Sequence, residues 1–332
     1  MSATLAPPRT VTYREALREG LFEEMEADDR VILLGEDVGR YGGAYAVSRG
    51  LLERFGEHRV IDMPMSEALI VGAALGAAAV GARPVAEIMY MDFVTLVMDQ
   101  LVNQAAKLHY MFGGQLTAPM VVRVQQGIGR GAGSQHSQSL EAWFAHVPGL
   151  KVVAPSTPAD AKGLLKSAIR DDDPVLFIEH KGLYARKGEA AGPTHTVPIG
   201  LADVKRSGED LTIVAWSNMV HTALAAAEEL AREGVSAEVV DLRTIAPLDM
   251  ATVLASVGRT GRLLIVHEAV RTAGLGAEIA AETAERHHGQ LRAPVRRLAT
   301  PDVVLPANTT LERELVPDAD AVVAAARDLV RS

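Results

Sequence analysis

Short apolar runs alternate with amphipathic helical stretches along the first half of the chain. The runs predict buried strands at residues 31–34, 83–86, 120–124, 151–153 and 175–178. Continuous apolar runs of this length, separated by helical stretches, are typical of parallel strands that are covered on both faces. The pattern therefore predicts an α/β domain built on a parallel sheet.

A second series of the same kind follows a break in composition. Residues 182–198 are rich in glycine, proline, threonine and mixed charge, which is typical of a linker. Beyond them we predict strands at 211–215, 237–241 and 263–267, and helices at 220–232 and about 277–287. The chain is therefore expected to fold as two doubly wound parallel-sheet domains joined near residue 190.

Composition narrows the class of protein. The 332 residues suffice for two domains that each have a core. The absence of cysteine excludes disulfides, thiolate nucleophiles and sulfur-ligated zinc. A net charge of −9 without a basic cluster argues against nucleic acid or an anionic membrane as partner. No secretory signal opens the chain and no uncharged run could span a bilayer, so we expect a cytoplasmic protein.

Glu67 is a candidate catalytic acid at the start of an unusually small, apolar helix. Residues 68–82 carry no charge, and Ser66 before Glu67 is a natural N-cap. Glycines among the alanines favour close packing, so we expect the helix start to be buried, where a carboxylate needs a partner or a shifted pKa. A cap-region acid on a core helix explains the same pattern equally well.

The glycine-rich segment 127–133 fits a dinucleotide-binding pattern only loosely. That pattern requires a helix to begin inside the loop, whereas residues 134–139 continue polar and irregular. The later Gly274-Leu275-Gly276 enters a helix, but Ile279 stands where a small residue is needed. The sequence thus disfavours a nicotinamide oxidoreductase, and it contains no phosphate-binding Walker loop, no Gly-x-Ser-x-Gly elbow and no metalloprotease helix.

His136 lies in the same loop, between amides and hydroxyls. The loop follows a predicted central strand, and ligands of parallel sheets usually bind beyond the carboxyl ends of the strands. His136 is therefore a candidate acid, base or charge stabiliser near neutral pH, with a structural surface role as the alternative.

A series of motifs, in order along the chain, carries a family resemblance. They are LGEDV and YGGAY (34–38, 41–45), MSEA (65–68), MDF (91–93), YMFGG (110–114), QHSQSLEAWF (135–144) and PGLKVV (148–153). From about Thr12 to Leu329 the chain resembles the beta subunit of the thiamine-dependent decarboxylating component of 2-oxo acid dehydrogenase complexes, which include pyruvate, branched-chain and acetoin dehydrogenases. The resemblance implies a transketolase-like pyrimidine-binding domain at 1–185, a linker at 186–199 and a transketolase C-terminal-like domain at 200–332.

The resemblance also implies a shared cofactor. Enzymes of this type hold magnesium and the diphosphate of thiamine diphosphate through a Gly-Asp-Gly motif followed by asparagine, and this chain has no Gly-Asp-Gly. An alpha subunit would then bind the charged end, with magnesium, in an alpha2-beta2 heterotetramer. The assembly would decarboxylate a 2-oxo acid and pass the acyl group to a lipoyl domain of an acyltransferase core component. The missing motif disfavours a standalone transketolase-like enzyme.

Site residues follow by matching motifs. Glu67 matches the glutamate that hydrogen-bonds the pyrimidine ring nitrogen and favours the tautomer that activates the cofactor. Phe93 matches the aromatic residue packed against the pyrimidine, and Glu36 matches an acid on the cofactor side. His136 matches the histidine near the reacting carbon that assists reductive acylation of lipoate.

The resemblance further implies a structural site for a monovalent cation, with potassium as the candidate. Its ligands, mostly backbone carbonyls, correspond to Met120, Ala168, Ile169, Asp171 and Asp173. Without the resemblance, the acidic residues would be an ordinary solvated helix exit.

At three places the sequence differs from the pattern of the family, and these differences bear on the substrate and on whether the subunit is catalytic. Relatives commonly have TPISE where this chain has MPMSE (63–67), a glycine-proline start where it has VQQG (124–127), and a tryptophan or asparagine near residues 268–272. We expect a pyruvate-type enzyme, with an acetoin dehydrogenase beta subunit as the alternative and a branched-chain substrate less favoured. A non-catalytic scaffold subunit is the rival from another class, and the retention of Glu67, Phe93 and His136 argues against it.

Overall fold

The computed structural model describes residues 9–332, which form strands and helices in alternation. The strands are β1 (Thr10–Thr12), β2 (Val31–Gly35), β3 (Val60–Asp62), β4 (Arg83–Ile88), β5 (Val121–Gln126), β6 (Lys151–Val153), β7 (Val175–His180), β8 (Lys187–Glu189), β9 (Asp203–Arg206), β10 (Leu211–Ala215), β11 (Ala237–Asp241), β12 (Thr244–Ala246), β13 (Leu263–Val270) and β14 (Arg296–Thr300).

The α-helices are α1 (Tyr13–Ala27), α2 (Leu51–Phe55), α3 (Glu67–Ala79), α4 (Ala106–Met111), α5 (Glu141–Ala145), α6 (Pro158–Arg170), α7 (Met219–Arg232), α8 (Met250–Thr260), α9 (Leu275–His287), α10 (Thr309–Leu315) and α11 (Ala319–Arg331). A 3-10 helix (Met91–Val97) and a π-helix (Asp99–Ala105) precede α4. None of the helices between residues 9 and 332 is both long and apolar enough to cross a bilayer.

The larger sheet has seven strands in the order β12-β6-β7-β5-β4-β2-β3. All pairs are parallel except β12 with β6. The five strands predicted in the first half are confirmed. Strand β3 was not predicted because it is short and ends on the exposed Asp62, so it lacks a continuous apolar run.

The smaller sheet has five strands in the order β14-β13-β10-β11-β9, and only β9 runs antiparallel. Its three predicted strands are confirmed. Strand β14 begins with two arginines and is only partly buried, which hides it from a search for apolar runs. The prediction of two doubly wound α/β units is therefore confirmed, with antiparallel strands added at one edge of each sheet.

The two halves of the chain share packing. Strand β12 comes from the second half but extends the sheet of the first half. One apolar cluster combines Leu176 and Ile178 of the first half with Val214 and Val240 of the second. Part of the predicted linker also forms structure, because β8 pairs with β1 in a separate two-stranded sheet.

Helix α3 packs against β4, β2, the 3-10 helix and the π-helix, and only one of its faces is buried. Ile70, Val71 and Ala74 are buried, whereas Ala68 and Leu69 are exposed. The expectation of a buried helix start is therefore wrong for the single chain. A helix that is apolar on all sides can be covered by its own chain on one side and still present an apolar surface on the other.

Candidate active site

The candidate pocket residues all follow strands of the larger sheet at its carboxyl edge. Glu36 follows β2, Glu67 follows β3 at the start of α3, Phe93 follows β4, His136 follows β5 and Lys181 follows β7. Neighbouring parallel strands end at the same edge of a sheet, so the fold gathers residues that are up to 145 positions apart in sequence. His136 thus lies where its position after a central strand predicted.

Aromatic rings surround His136. Its imidazole lies edge to face with the ring of Tyr90 at 4.9 Å and with the ring of Phe93 at 5.3 Å, both measured between centroids. Lys181 Nζ donates a hydrogen bond to the His136 carbonyl and lies 5.5 Å from the Tyr90 ring centroid. The structure therefore brings His136 and Phe93 together and fixes the histidine through both its ring and its backbone.

Tyr90 adopts a strained backbone conformation, and its ring packs against Phe93 and His136. Its φ is +71°, in a region that costs on the order of 1–3 kcal/mol for a residue with a side chain. The Tyr90 N–H donates to Gln125 Oε1 at 3.0 Å, which helps to hold the conformation. Sequence reasoning missed Tyr90, although it directly precedes the MDF motif that contains Phe93.

The two predicted acids follow the neighbouring strands β2 and β3. Glu67 is half-buried in the first turn of α3, and the Ser66 side chain makes no capping hydrogen bond. Burial raises the pKa of the Glu36 carboxyl, and the negative charges of Asp37 and Glu67 raise it further. Glu36 and Glu67 are therefore close enough to interact.

Asp92 and Lys181 are buried charges between the 3-10 helix and the His136 loop. Asp92 Oδ1 accepts hydrogen bonds from Gln138 Nε2 at 2.8 Å and from Gln138 N at 3.3 Å, while Asp92 Oδ2 is buried without a partner among the described residues. Burial lowers the pKa of Lys181, and the negative charge of Asp92 partly opposes this effect. These contacts bind the 3-10 helix to the loop.

A buried ion network links three central strands of the larger sheet. Arg123 Nη1 lies 2.7 Å from Glu87 Oε2, and Arg123 Nε and Nη2 lie 2.7 Å and 3.0 Å from the two oxygens of Glu179. The Tyr184 hydroxyl donates to Glu179 at 2.6 Å. The only sequence signal was an arginine inside an apolar strand, which marks a buried charge but not its partners.

The glycine-rich loop does not have the features of a diphosphate cradle. Its N–H groups at Ile128, Gly129 and Gly131 donate to the carboxylates of Glu268 and Glu312, so they are satisfied by acids that would repel a phosphate. The loop leads into irregular chain before α5, as the sequence predicted. The geometry therefore speaks against a nicotinamide dinucleotide here.

The residues proposed for a monovalent cation lie together at the end of α6. Arg83 Nη1 donates to the carbonyls of Ile169 and Asp171, each at 3.0 Å, and Lys151 Nζ lies 2.8 Å from the Asp171 carboxylate. Met120 accepts from Val175 N at 2.9 Å, next to this turn.

The carbonyls at this turn already accept hydrogen bonds from Arg83, and a monovalent cation there stays a prediction. Each has a second lone pair, and backbone carbonyls are suitable ligands for a hard cation. Arg83 and Lys151 place positive charge beside it and would compete. Within residues 9–332, no group of three or more His, Asp or Glu side chains is arranged to hold a metal.

Comparisons with known proteins identify both halves of the chain. The model of the transketolase pyrimidine-binding domain matches residues 9–187, and the model of the transketolase C-terminal domain matches residues 200–322. Among solved structures, a split-gene transketolase described as an inactive beta4 tetramer superimposes with a TM-score of 0.78 at 23% identity, covering 97% of this chain and 98% of the other. This likeness shows the fold.

Curated relatives define the family more closely. The chain is 46% identical to the beta subunit of acetoin:2,6-dichlorophenolindophenol oxidoreductase of Cupriavidus necator, covering 97% of this chain and 98% of that one. It is 48% identical to the mitochondrial pyruvate dehydrogenase E1 component subunit beta-2 of Oryza sativa (97% and 87% covered). It is 46% identical to the 2-oxoisovalerate dehydrogenase subunit beta of Bacillus subtilis (96% and 98% covered). The chain therefore belongs to the family of E1 beta subunits of pyruvate, acetoin and branched-chain dehydrogenases, which combine these two transketolase domains.

Proposed function

We propose that this chain is the beta subunit of a thiamine diphosphate-dependent 2-oxo acid dehydrogenase of the pyruvate dehydrogenase type. With an alpha subunit it decarboxylates a 2-oxo acid and transfers the acyl group to a lipoyl domain. The observation that carries the proposal is the convergence of Glu36, Glu67, Phe93 and His136 on one edge of the sheet. Membership of the family supports it.

The pocket suits the aminopyrimidine end of the cofactor. Thiamine diphosphate, when bound here, would supply the carbon nucleophile that the reaction of a 2-oxo acid requires. Glu67 would share a proton with a ring nitrogen of the aminopyrimidine, and Phe93 would pack against the ring. Glu36, whose pKa is raised, adds a second acid beside Glu67. The observed features that fit are an acid at a helix N-terminus, a neighbouring carboxylate and a half-buried aromatic ring.

His136 would act at the acyl-transfer step. Its ring is held by Tyr90 and Phe93 while its backbone is held by Lys181, so its orientation is fixed. As the acyl carbon bonds to one sulfur of the lipoyl group and the S–S bond breaks, an imidazole in this position could donate a proton to the departing sulfur.

The charged end of the cofactor requires another chain. The sequence lacks Gly-Asp-Gly, and the described residues hold no side-chain cluster for magnesium. Met65 and Leu69, on either side of Glu67, are 76% and 49% exposed, so a partner that covers them would also bury Glu67. We assign this role to an alpha subunit that binds magnesium and the diphosphate within an alpha2-beta2 heterotetramer, which docks on a lipoyl acyltransferase core.

Two more specific proposals concern the identity of the substrate and of the structural cation. Identities of 46–48% to acetoin, pyruvate and 2-oxoisovalerate enzymes do not rank the substrates, so the acetoin dehydrogenase beta subunit stays the alternative. The cation site at the end of α6 is proposed for potassium. A cytoplasmic location stays a prediction.

The test is co-expression with an alpha subunit, followed by assay of the purified assembly with pyruvate, branched-chain 2-oxo acids and acetoin. We expect thiamine-dependent reduction of a dye acceptor with one substrate class, and acylation of a lipoyl domain when that domain replaces the dye. An assembled complex that oxidises none of these substrates would support the scaffold alternative instead.

A further inference from the structure

The loop that carries His136 is held by a buried carboxylate from the other half of the chain. Glu312, on α10, is fully buried. Its Oε2 accepts hydrogen bonds from Gly129 N at 3.2 Å and Gly131 N at 3.1 Å, and its Oε1 lies 3.5 Å from Ser137 Oγ. One side chain therefore contacts both ends of the segment between Gly129 and Ser137, and Ser137 adjoins His136.

Glu268, near the end of β13, holds the start of the same loop. Its Oε1 accepts from Ile128 N at 2.6 Å, and its Oε2 lies 2.7 Å from His180 Nε2. His180 Nδ1 accepts from Gly182 N at 3.0 Å, so the ring proton resides on Nε2 and is donated to Glu268. Lys181 lies between His180 and Gly182 in the sequence, and its Nζ donates a hydrogen bond to the His136 carbonyl.

The carboxylates of Glu268 and Glu312 are needed to fix the loop, because its glycine-rich backbone can adopt many conformations. Gly127, Gly129, Gly131 and Gly133 all have positive φ, and glycine has the widest conformational range of any residue. Hydrogen bonds from backbone N–H groups to an ionised carboxylate are stronger than those between neutral groups. A buried acid that accepts several of them can therefore select one loop conformation.

We propose that Glu312, together with Glu268, is a positioning residue that sets the orientation of His136 for acyl transfer. The C-terminal domain would thereby contribute to the active site without touching substrate. The inference depends on the proposed function for the role of His136, but the loop contacts themselves do not.

Hydrogen exchange tests the contacts independently of activity. In the assembled wild-type protein, we expect the Gly129 amide to exchange on the order of 100-fold more slowly than the amide of the exposed Ala132 in the same loop. Glu312→Leu, which fills the space without accepting hydrogen bonds, should remove this protection. Glu314→Gln, an exposed acid on the same helix, is the matched control and should not. Equal exchange at Gly129 and Ala132 in the wild type would overturn the proposal, and this measurement needs no variant to fold.

Kinetics in the assembled complex test the role. We expect Glu312→Leu to slow lipoyl acylation by about tenfold or more while dye-coupled oxidation changes little, because only His136 is displaced. Glu312→Gln should largely restore acylation, since its amide oxygen can accept both glycine N–H groups. In His136→Ala, adding Glu312→Leu should cause no further loss.

Equal losses in the two partial reactions, or additive losses in the double variant, would contradict the positioning role. If the wild-type complex is inactive but the Gly129 amide is protected from exchange, the proposed function is contradicted and the loop contacts are still supported.

Discussion

At the residue scale, Glu67 is the acid on which the proposed chemistry depends most. We expect Glu67→Ala to keep the fold and the subunit association, because the side chain is half-buried and caps nothing. Dye-coupled oxidation by the assembled complex should fall by about 100-fold or more, since a positioned acid or base typically contributes that much. Glu285→Gln, at an exposed acid on α9, is the control. Unchanged turnover in Glu67→Ala would rule out the assigned role.

His136 is predicted to act at a different step. His136→Ala should leave thiamine diphosphate binding within about twofold of wild type and slow lipoyl-domain acylation by about 100-fold, because it removes a proton donor and not a cofactor contact. The readouts are calorimetric titration and single-turnover acylation of a lipoyl domain. His288→Ala, at an exposed position, should change neither. Normal acylation kinetics in His136→Ala would remove the histidine from the mechanism.

Individual residues differ in how far the sequence reveals them. Glu67, Phe93 and His136 are found because each lies in a short motif. Glu268 and Glu312 act on a loop 140 and 183 positions away, so no local pattern marks them. Their only signal is that they are acids near apolar neighbours in the second domain.

At the scale of elements, the central strands depend on the buried ion network. Arg123, on β5, pairs with Glu87 of β4 and Glu179 of β7, and all three are essentially inaccessible to water. We expect Arg123→Met to lower the free energy of unfolding by about 3–5 kcal/mol in urea titrations, because it leaves two acids buried without their cation. Arg327→Ala removes a solvent-exposed pair with Glu233 and should cost much less. Comparable losses in the two variants would show that the network is not stabilising.

Helix α3 has an exposed apolar side, on which we propose that the alpha subunit binds. Leu69→Lys places a charge on its exposed apolar side next to Glu67, where burial by another chain would be costly. We expect the variant to fold but to lose association with the alpha subunit by about tenfold or more in affinity. Val304→Lys, at a position that is 78% exposed, serves as the control. Normal assembly of Leu69→Lys would place the alpha interface elsewhere.

Elements were predictable where burial alone defines them. Strands β2, β4, β5, β7 and β10 are buried along almost their whole length and contain apolar runs, so the hydropathy pattern predicted them. Short or half-exposed edge strands such as β12 and β14 depend on a partner strand that is distant in sequence, so local hydropathy does not mark them.

At the scale of the whole molecule, buried histidines predict acid sensitivity. His267 stacks on Trp216, and burial lowers its pKa from 6.5 to about 4. The folded state resists protonation, so this contribution to stability is complete above about pH 6.5 and is lost as pH falls towards 4. Since each pKa unit corresponds to about 1.4 kcal/mol, the loss is on the order of 3 kcal/mol.

The expected signature is a smaller pH dependence in His267→Asn. Urea titrations at pH 7 and pH 4.5 should show that the variant loses less stability than wild type on acidification. Burial also raises the pKa of Asp241 to about 7, which has the opposite effect because that acid is more easily accommodated when neutral. The effect of Asp241 is the same in variant and wild type, so it cancels when the two are compared. An identical pH dependence of stability in both proteins would contradict the assignment to His267.

The whole molecule was predictable as two α/β units but not in how they combine. The edge strand β12 and the carboxylates of Glu268 and Glu312 cross between the halves, and such contacts depend on tertiary geometry. The role of the exposed apolar side of α3 likewise could not be predicted, because the proposed partner of that side is a separate chain.

The central claim is that this chain holds one half of a cofactor pocket. Calorimetric titration of thiamine diphosphate with magnesium into this chain alone, an alpha subunit alone and their complex tests it most directly. The account predicts tight binding by the complex, and binding by the beta chain alone that is weaker by about 100-fold or more. Tight magnesium-dependent binding by the isolated chain, or failure to associate with any alpha subunit, would contradict it.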